Sequence, residues 1–317
     1  MPLSQEVAPG VAWMRTMLVN VAFVEPEPRD GRWVLVDAGL AGHRTNIVRA
    51  ARERYGQRPP VAIVLTHAHF DHVGNLRGLA DEWDVPIYAH QLELPHLTGR
   101  RRYPPPDPTV GGGLMAWAAR LYPAGPIDVS TRVRALPDDG SIPPLPGWRW
   151  WPTPGHTHGH VSLFRDTDRV LLSGDALITV RQESLSAVLT QTQTLHGPPA
   201  YFTTNWSDAL GSVRDLADLS PNVLVPGHGL PMSGPRLTRG LRAFADKFHT
   251  EVPARGRYVA APAQRREDGD YDLPPDPWPA AWHKAIAGVA VTSLAWAWLR
   301  RRRPSPVPMR RTLTERE

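Results

Sequence analysis

The sequence predicts a layered α/β protein, in which helices cover packed β-sheets. Short segments rich in Val, Leu and Trp, each closed by Gly, Pro or Asp, alternate with longer segments of helical periodicity. Strands interrupted by amphipathic helices are typical of domains with helices outside packed sheets. The clearest helical pattern lies in residues 206–219, where the apolar side chains that mark one buried face are Leu210, Val213, Leu216 and Ala217.

The predicted elements follow in chain order from these two kinds of pattern. A long irregular insert at 98–126, with three prolines and three glycines in succession and a helix-like stretch at 114–122, interrupts them. Such an insert is either a lid or wall of a substrate site or a solvent-exposed excursion. Strands are expected at 17–24, 33–37, 61–65, 85–89, 148–152, 161–165, 169–173 and 223–226, and helices at 43–55, 75–83, 206–219 and 235–248.

Composition narrows the class of protein. A chain of 317 residues with 41% hydrophobic content suits one large or two modest globular domains. Because the chain contains no cysteine, disulfides, thiolate nucleophiles and thiolate metal ligands are excluded. Residues 1–12 hold no apolar stretch behind a basic start, so we expect no secretory signal and a cytoplasmic catalytic domain.

The net charge of +5 does not indicate a nucleic-acid-binding body. Twelve Lys and Arg against seven Asp and Glu lie between Arg255 and the end, whereas the preceding 254 residues hold 24 of each sign. The basic excess therefore belongs to the C-terminal part. We expect a small-molecule substrate and no specific nucleic acid.

Residues 66–72 carry the most specific motif of the chain, THAHFDH, directly after the apolar segment 61–65. Three imidazoles and one carboxylate within six residues suit zinc, iron or manganese. Packing alone does not explain four such costly polar groups beside a buried strand. The candidate ligands are His67, His69, Asp71 and His72.

Three later segments supply further ligand types. They are PGHTHGH at 154–160, LSGD at 172–175 and VPGHG at 225–229. In their order and spacing, the four motifs resemble those of the metallo-β-lactamase superfamily of metallo-hydrolases over roughly residues 15–235. The resemblance implies an αββα four-layer sandwich with the ligands on loops along one edge.

The resemblance also implies a ligand set. His67, His69 and His156 would hold one divalent ion, most simply Zn²⁺, with Fe or Mn as alternatives. Asp71, His72 and His228 would hold a second, and Asp175 would bridge the two. Asp71 would in addition orient the attacking water.

Three more residues are candidates around this centre. Asp37 ends the predicted strand 33–37 and begins a turn of the kind that the family places behind its metals, although an ordinary Asp turn has the same sequence. His160 shares a glycine-rich loop with His156 and could hydrogen-bond to a ligand. Tyr201 could line the substrate pocket or serve plain packing.

The predicted function is a metal-dependent hydrolase, in which a hydroxide bound by two metals attacks an ester, thioester or lactone. The site resembles the glyoxalase II and lactonase branches, and the GDA and QES patterns at 174–176 and 182–184 bring the chain closer to a poorly characterised bacterial group. The alternatives are a mono-iron persulfide dioxygenase and a phosphodiesterase or nuclease. The first needs one metal, and the second needs a basic groove.

The C-terminal part predicts a separate organisation. After a catalytic domain at 1–250, a linker rich in Pro, Asp and Arg is expected at 251–279. An uncharged apolar helix ending in four arginines is expected at 280–303, followed by a disordered basic tail at 304–317. The helix could span a membrane, lie on its surface or pack on protein.

Overall fold

The computed structural model describes residues 3–27 and 29–277, in which two β-sheets lie face to face between layers of helices. The first sheet contains seven strands in the order of the chain. Its first four strands are antiparallel, and β4 to β7 run parallel. The strands are β1 (Gln5–Ala8), β2 (Val11–Thr16), β3 (Val19–Val24), β4 (Val34–Val36), β5 (Ala62–Val64), β6 (Ile87–Ala89) and β7 (Val133–Ala135).

The second sheet has five strands in the order β12-β11-β10-β9-β8. Only β10 and β11 run parallel in it. A separate hairpin follows near the end of the described chain. The strands are β8 (Trp148–Pro152), β9 (Val161–Arg165), β10 (Val170–Gly174), β11 (Val223–Pro226), β12 (Met232–Ser233), β13 (Gln264–Arg265) and β14 (Tyr271–Asp272).

Helices connect and cover these strands. The α-helices are α1 (Arg44–Tyr55), α2 (Leu76–Trp83), α3 (Leu94–Leu97), α4 (Leu114–Trp117), α5 (Leu185–Thr190), α6 (Trp206–Asp218), α7 (Gly234–Asp246) and α8 (Arg257–Ala260). Short 3₁₀ helices lie at Gln91–Glu93, Pro108–Val110, Ala118–Leu121, Ala200–Phe202 and Phe248–Thr250.

The central strands are buried on both faces, so their side chains divide between two cores. In β4, Leu35 points to the helices, whereas Val34 and Val36 point to the other sheet. In β10, Leu171 points to the helices and Leu172 to the other sheet. Successive side chains thus point to opposite faces of each sheet, and both faces are buried. For this reason the strands are continuous apolar runs in the sequence.

Three apolar cores therefore hold four layers together. One lies between α1, α2 and the first sheet, one between the sheets, and one between the second sheet, α6 and α7. The arrangement is the αββα sandwich that the sequence resemblance implies.

The long amphipathic helices lie where the sequence predicts them, but some strands do not. The predicted strand 17–24 begins at Val19, because Met17 has a φ of 66° and forms the turn of the β2–β3 hairpin. Six strands lie outside the predicted ones: β1, β2, β7, β12, β13 and β14. The edge strands β1 and β7 are largely exposed, so backbone pairing defines them without an apolar pattern. In contrast, β2 is almost wholly buried, and the prediction missed its apolar side chains.

The first compact unit extends to Pro275. Tyr258 Oη donates to the carbonyl of Pro105 at 2.7 Å, and the Ala263 amide donates to the carbonyl of Thr204 at 3.0 Å. Much of the predicted linker 251–279 therefore packs on the catalytic body. The predicted apolar helix 280–303 and tail 304–317 lie outside the described residues. Within the described part of the chain, every helix is too short or too polar to cross a bilayer.

Asn20 links the two sheets. From β3, its Nδ2 donates to the carbonyls of Pro226 at 2.8 Å and Gly229 at 2.7 Å, on both sides of His228. The side chain is buried. Its hydrogen bonds therefore fix the loop after β11 against the first sheet.

We expect Asn20→Ala to lower the free energy of unfolding by about 1–3 kcal/mol, because buried carbonyls lose their donor. Urea denaturation measures the change. Asn222→Ala is the matched control, since Asn222 is exposed and donates a single bond to Asp168. Equal stability of the Asn20 variant and the wild type would show that these bonds do not hold the sheets together.

Candidate metal centre

Seven imidazole and carboxylate side chains converge where strands from both sheets end. His67, His69, Asp71 and His72 lie in the loop between β5 and α2, and Asp175 and His228 follow β10 and β11. His156 comes from the loop between β8 and β9. Because β10 and β11 are parallel and neighbouring, their carboxyl ends place Asp175 beside His228.

Two glycines permit the close approach of these loops. Gly174 has a φ of 50°, and a Cβ there would lie 2.6 Å from His160 Nε2. A Cβ at Gly227 would overlap Asp175 Oδ1. A side chain at either position would therefore displace a group of the cluster.

The first part of the cluster contains three histidines. His69 Nδ1 lies 3.0 Å from His67 Nε2 and 2.8 Å from His156 Nε2. His156 Nε2 is 3.4 Å from Asp175 Oδ2. All four side chains are buried.

The second part contains His72, His228 and Asp71. Asp175 lies between them, with Oδ1 3.3 Å from His72 Nε2 and Oδ2 3.2 Å from His228 Nε2. His228 Nε2 is also 3.4 Å from Asp71 Oδ2. The Asp71 side chain is 14% exposed, so this part of the cluster opens to solvent.

Three sets of side chains could each hold an ion, since their ligand atoms lie within 4.8 Å of one another. The middle set shares His67 with the first and His72 with the third, so the cluster forms one continuous centre. They are His67–His69–His156, His67–His72–Asp175 and Asp71–His72–His228.

Hydrogen bonds on the outside fix which ring nitrogens face inward. Asp37 Oδ2 accepts from His72 Nδ1 at 2.8 Å, and the carbonyl of Leu18 accepts from His228 Nδ1 at 2.8 Å. Thr66 Oγ1 donates to Asp37 and lies 3.1 Å from His67 Nδ1. These contacts leave the Nε2 atoms of the three histidines to face the centre.

The residues fit a bound cation. Among the described residues, His72 Nε2 and Asp175 Oδ1 are buried side-chain atoms without a hydrogen-bond partner, and both face the centre. The outer nitrogen of His156, Nδ1, also has none. Leaving buried polar atoms unpaired is costly, and a divalent ion at the centre would satisfy the two inner atoms.

The protein environment favours neutral imidazoles on one side of the centre. Burial lowers the pKa of His67 and His69 well below the usual value and that of His156 to about 4. Burial also opposes protonation of His72 and His228, but the neighbouring carboxylates outweigh it and raise both pKa values. A cation would take the place of those protons, so metal binding should weaken on acidification.

Asp37 and His160 lie directly behind the centre. Asp37 has a φ of 60° and also accepts from the Thr66 amide at 2.8 Å, so it holds the start of the motif loop as well as His72. His160 Nε2 accepts from the Asp175 amide at 2.9 Å, and its Nδ1 lies 2.8 Å from Thr153 Oγ1. His160 therefore fixes the backbone that carries Asp175.

Tyr201 lies in an aromatic layer beside the centre. It is buried against Ala116, Ala119 and Phe202, and its ring centroid is 5.8 Å from that of Tyr122. Burial raises the pKa of Tyr201 well above its usual value, so the hydroxyl stays protonated. The Phe202 ring lies nearer to the ligands, 4.6 Å from His69.

Glu93 is a candidate supporting residue that the sequence patterns did not reveal. It is 1% exposed, and its Oε2 accepts from the Ala68 amide at 3.0 Å and from the Tyr103 hydroxyl. Its Oε1 accepts from Thr157 Oγ1 at 2.8 Å and the Gly159 amide at 3.1 Å. One carboxylate therefore joins the two loops that carry His67, His69 and His156. The available signal was an acidic residue between Leu92 and Leu94.

Comparisons with known proteins place the chain in a family. A family model described as the metallo-beta-lactamase superfamily matches residues 14–228. The probable metallo-hydrolase YflN of Bacillus subtilis (strain 168) is 46% identical over 244 residues, which are 77% of this chain and 92% of that protein. The probable metallo-hydrolase YybB of the same organism is 29% identical over 195 residues, or 62% and 74% of the two chains.

A solved structure shows the same fold. The beta-lactamase domain protein from Burkholderia ambifaria aligns with a TM-score of 0.53 at 24% identity, over 77% of this chain and 73% of that one.

Acidification should destabilise the metal-free protein partly through His160. Burial lowers its pKa to about 3 in the folded state, whereas an unfolded histidine titrates near ~6.5. The stability that neutral His160 contributes is therefore complete above about pH 6.5 and is lost as the pH falls toward the folded pKa.

We expect the free energy of unfolding to fall less between about pH 7 and pH 4 in His160→Gln than in the wild type. Urea denaturation of the metal-free proteins at each pH measures this difference. His249→Gln, at an exposed histidine, should keep the wild-type dependence. Identical pH dependence in all three proteins would exclude this role of His160.

We expect Glu93→Gln to weaken metal binding by about 10–100-fold, as for other residues that hold metal ligands in place. The amide replaces one accepting oxygen and so breaks the link between the two loops. Competition with a chelator measures the affinity. Glu53→Gln, at an exposed glutamate, is the control. An unchanged affinity would mean that the loops hold their positions without Glu93.

Proposed function

The chain belongs to the metallo-β-lactamase superfamily and is a metallo-hydrolase, and we propose that it cleaves an ester, thioester or lactone with two divalent ions. The observation that carries the proposal is the position of Asp175, whose two oxygens lie 3.2–3.4 Å from His156 on one side and from His72 and His228 on the other. We take zinc as the first candidate metal, because imidazole and carboxylate ligands without cysteine suit it.

We assign the ligands by their contacts. His67, His69 and His156 would hold one ion, with Asp175 Oδ2 facing His156. Asp71, His72 and His228 would hold the other, with Asp175 between the last two. Because Asp175 contacts both parts, it is the bridging candidate.

When bound, two divalent ions lower the pKa of a shared water and polarise the carbonyl oxygen of the substrate. The chain itself supplies a proton acceptor, since Asp71 is a partly exposed carboxylate at the opening of the centre. Asp71 would therefore orient the attacking water in addition to binding metal.

Aromatic side chains beside the ligands would exclude water and hold the acyl part of the substrate. Phe70 lies within the ligand loop, with its ring 5.7 Å from Tyr122 and 6.2 Å from Phe202. Tyr122 belongs to the insert 98–126, and its hydroxyl donates to the carbonyl of Met115 within the insert at 3.1 Å. This apolar wall supports a carbonyl substrate with an apolar group.

The charge distribution and the number of ligand groups favour a hydrolase of carbonyl esters over a phosphodiesterase and over a mono-iron dioxygenase. A phosphodiesterase or nuclease needs a basic groove, whereas residues 1–254 carry equal numbers of acidic and basic residues. A mono-iron dioxygenase needs one ion, whereas a second set of ligand types lies beside the first. One iron per chain in purified protein, with oxygen uptake on a persulfide, would favour the dioxygenase.

The direct test is the metal content of protein purified without chelators, together with turnover on a panel of ester, thioester, lactone, β-lactam and phosphodiester substrates. About two zinc ions per chain with turnover of carbonyl esters supports the proposal. Turnover of the phosphodiester alone would overturn it.

We expect Asp175→Ala to lose one metal per chain and to reduce turnover by more than about 100-fold, because Asp175 contacts both parts of the centre. Elemental analysis and kcat measure the two effects. Asp166→Ala is the control, since Asp166 pairs with Arg149 on the surface. Full metal content and full rate in Asp175→Ala would reject the bridging assignment.

A further inference from the structure

Exposed apolar side chains are concentrated on two segments of the described chain. Of seven large apolar residues that are exposed there, five lie at 114–121 and 185–189, and the others are Met17 and Leu273. Trp117 is 52% exposed, Leu121 61% and Leu189 72%. We call the five side chains the outer apolar face: Leu114, Trp117, Leu121, Leu185 and Leu189.

The two segments lie side by side. The Met115 amide donates to the carbonyl of Glu183 at 3.2 Å, at the start of both α4 and the segment that leads into α5. A Cβ on Gly113 would overlap that same carbonyl. Leu114 and Leu185 therefore follow residues that touch each other, so the two exposed segments adjoin at their starts.

The buried side of the segment 114–121 lies toward the metal centre. Ala116 and Ala119 are fully buried against Tyr201 and Phe202. The Phe202 ring lies 4.6 Å from His69. The helical segment 114–121 therefore presents three side chains of the outer apolar face on one side and packs against the aromatic layer beside the ligands on the other.

Basic residues accompany this face. Residues 98–126 contain four arginines, of which Arg101 pairs with Asp270 at 3.3 Å, and one aspartate, Asp107, which is buried. Arg102 is exposed, and the Tyr103 amide that follows it donates to Ala124, three residues beyond Leu121. Arg181 is exposed as well, with its guanidinium 3.8 Å from the position of a Cβ on Gly112. The nearby Glu183 is half-buried and accepts from the Ala200 amide.

We propose that the outer apolar face docks on an anionic lipid surface, with the entrance of the metal centre beside it. Leucine and tryptophan side chains enter the boundary between headgroups and acyl chains, and arginines pair with anionic headgroups. The alternative binding partner for this face is a second copy of the chain. A symmetric dimer would bring Arg102 and Arg181 of both copies together, so charge favours the lipid.

The test is flotation of the full chain with vesicles of phosphatidylcholine, with and without phosphatidylglycerol. We expect binding to the anionic vesicles that weakens with added salt. The triple variant Leu114→Ser, Trp117→Ser, Leu121→Ser should bind more than about tenfold more weakly. Leu273→Ser, outside the face, should bind as the wild type does. All proteins keep residues 278–317, so any contribution of that segment is common to them.

A second variant, Leu185→Ser with Leu189→Ser, tests the other segment independently. If the triple variant does not fold, the double variant shows whether the outer apolar face binds the vesicles. Thermal unfolding and metal content report on folding. Equal vesicle binding by wild type and both variants would overturn the proposal, as would a wild type that binds no vesicles. A dimer in gel filtration that the variants dissociate would assign the face to a second copy instead.

Discussion

The structure depends on one electrostatic constraint, the burial of Asp175 among three imidazoles. Its two oxygens lie 3.2–3.4 Å from the Nε2 atoms of His72, His156 and His228. Burial opposes ionisation of this carboxylate, but His228 and His72 outweigh burial and hold its pKa well below the usual value. Such a cluster is stable only if charge is balanced within it, by protons or by bound cations.

The surrounding fold prevents the cluster from relaxing. Asp37 orients His72 from the first sheet, and His160 holds the Asp175 backbone from the second. Glu93 joins two ligand loops, and Asn20 fixes the loop that carries His228. Each of these residues is buried and bonds to a segment distant in sequence. The αββα layers thus hold the candidate ligands close enough together to bind an ion, at the cost of burying polar groups.

The insert 98–126 contacts the centre at one end and is exposed to solvent at the other. Its Tyr103 ring lies 4.5 Å from His69 and its hydroxyl bonds to Glu93, so the insert is tied to the ligand loops. Its other end contributes Tyr122 to the aromatic wall and Trp117 to the outer apolar face. A single segment therefore contacts the candidate ligand His69, contributes to the aromatic wall beside the centre and presents an exposed apolar surface. Substrate preference and docking would be linked through it.

The sequence by itself determined the chemistry of the site and the class of the fold. The motif at 66–72 and the residues His156, Asp175 and His228 are polar groups beside apolar strands, which local patterns reveal. The long helices also follow from periodicity, because one face of each is buried. What identifies these features is contained within a few consecutive residues.

Only the tertiary structure decided which distant groups support the ligands. The bonds of Glu93 to Ala68 and Gly159, and of Asn20 to Pro226, join segments whose pairing no local pattern encodes. Likewise, the hydrogen bond from Tyr258 to Pro105 holds a segment of linker-like composition on the compact unit that extends to Pro275. Such contacts arise from the stacking of layers, which brings together residues far apart in the chain and lies beyond local propensity.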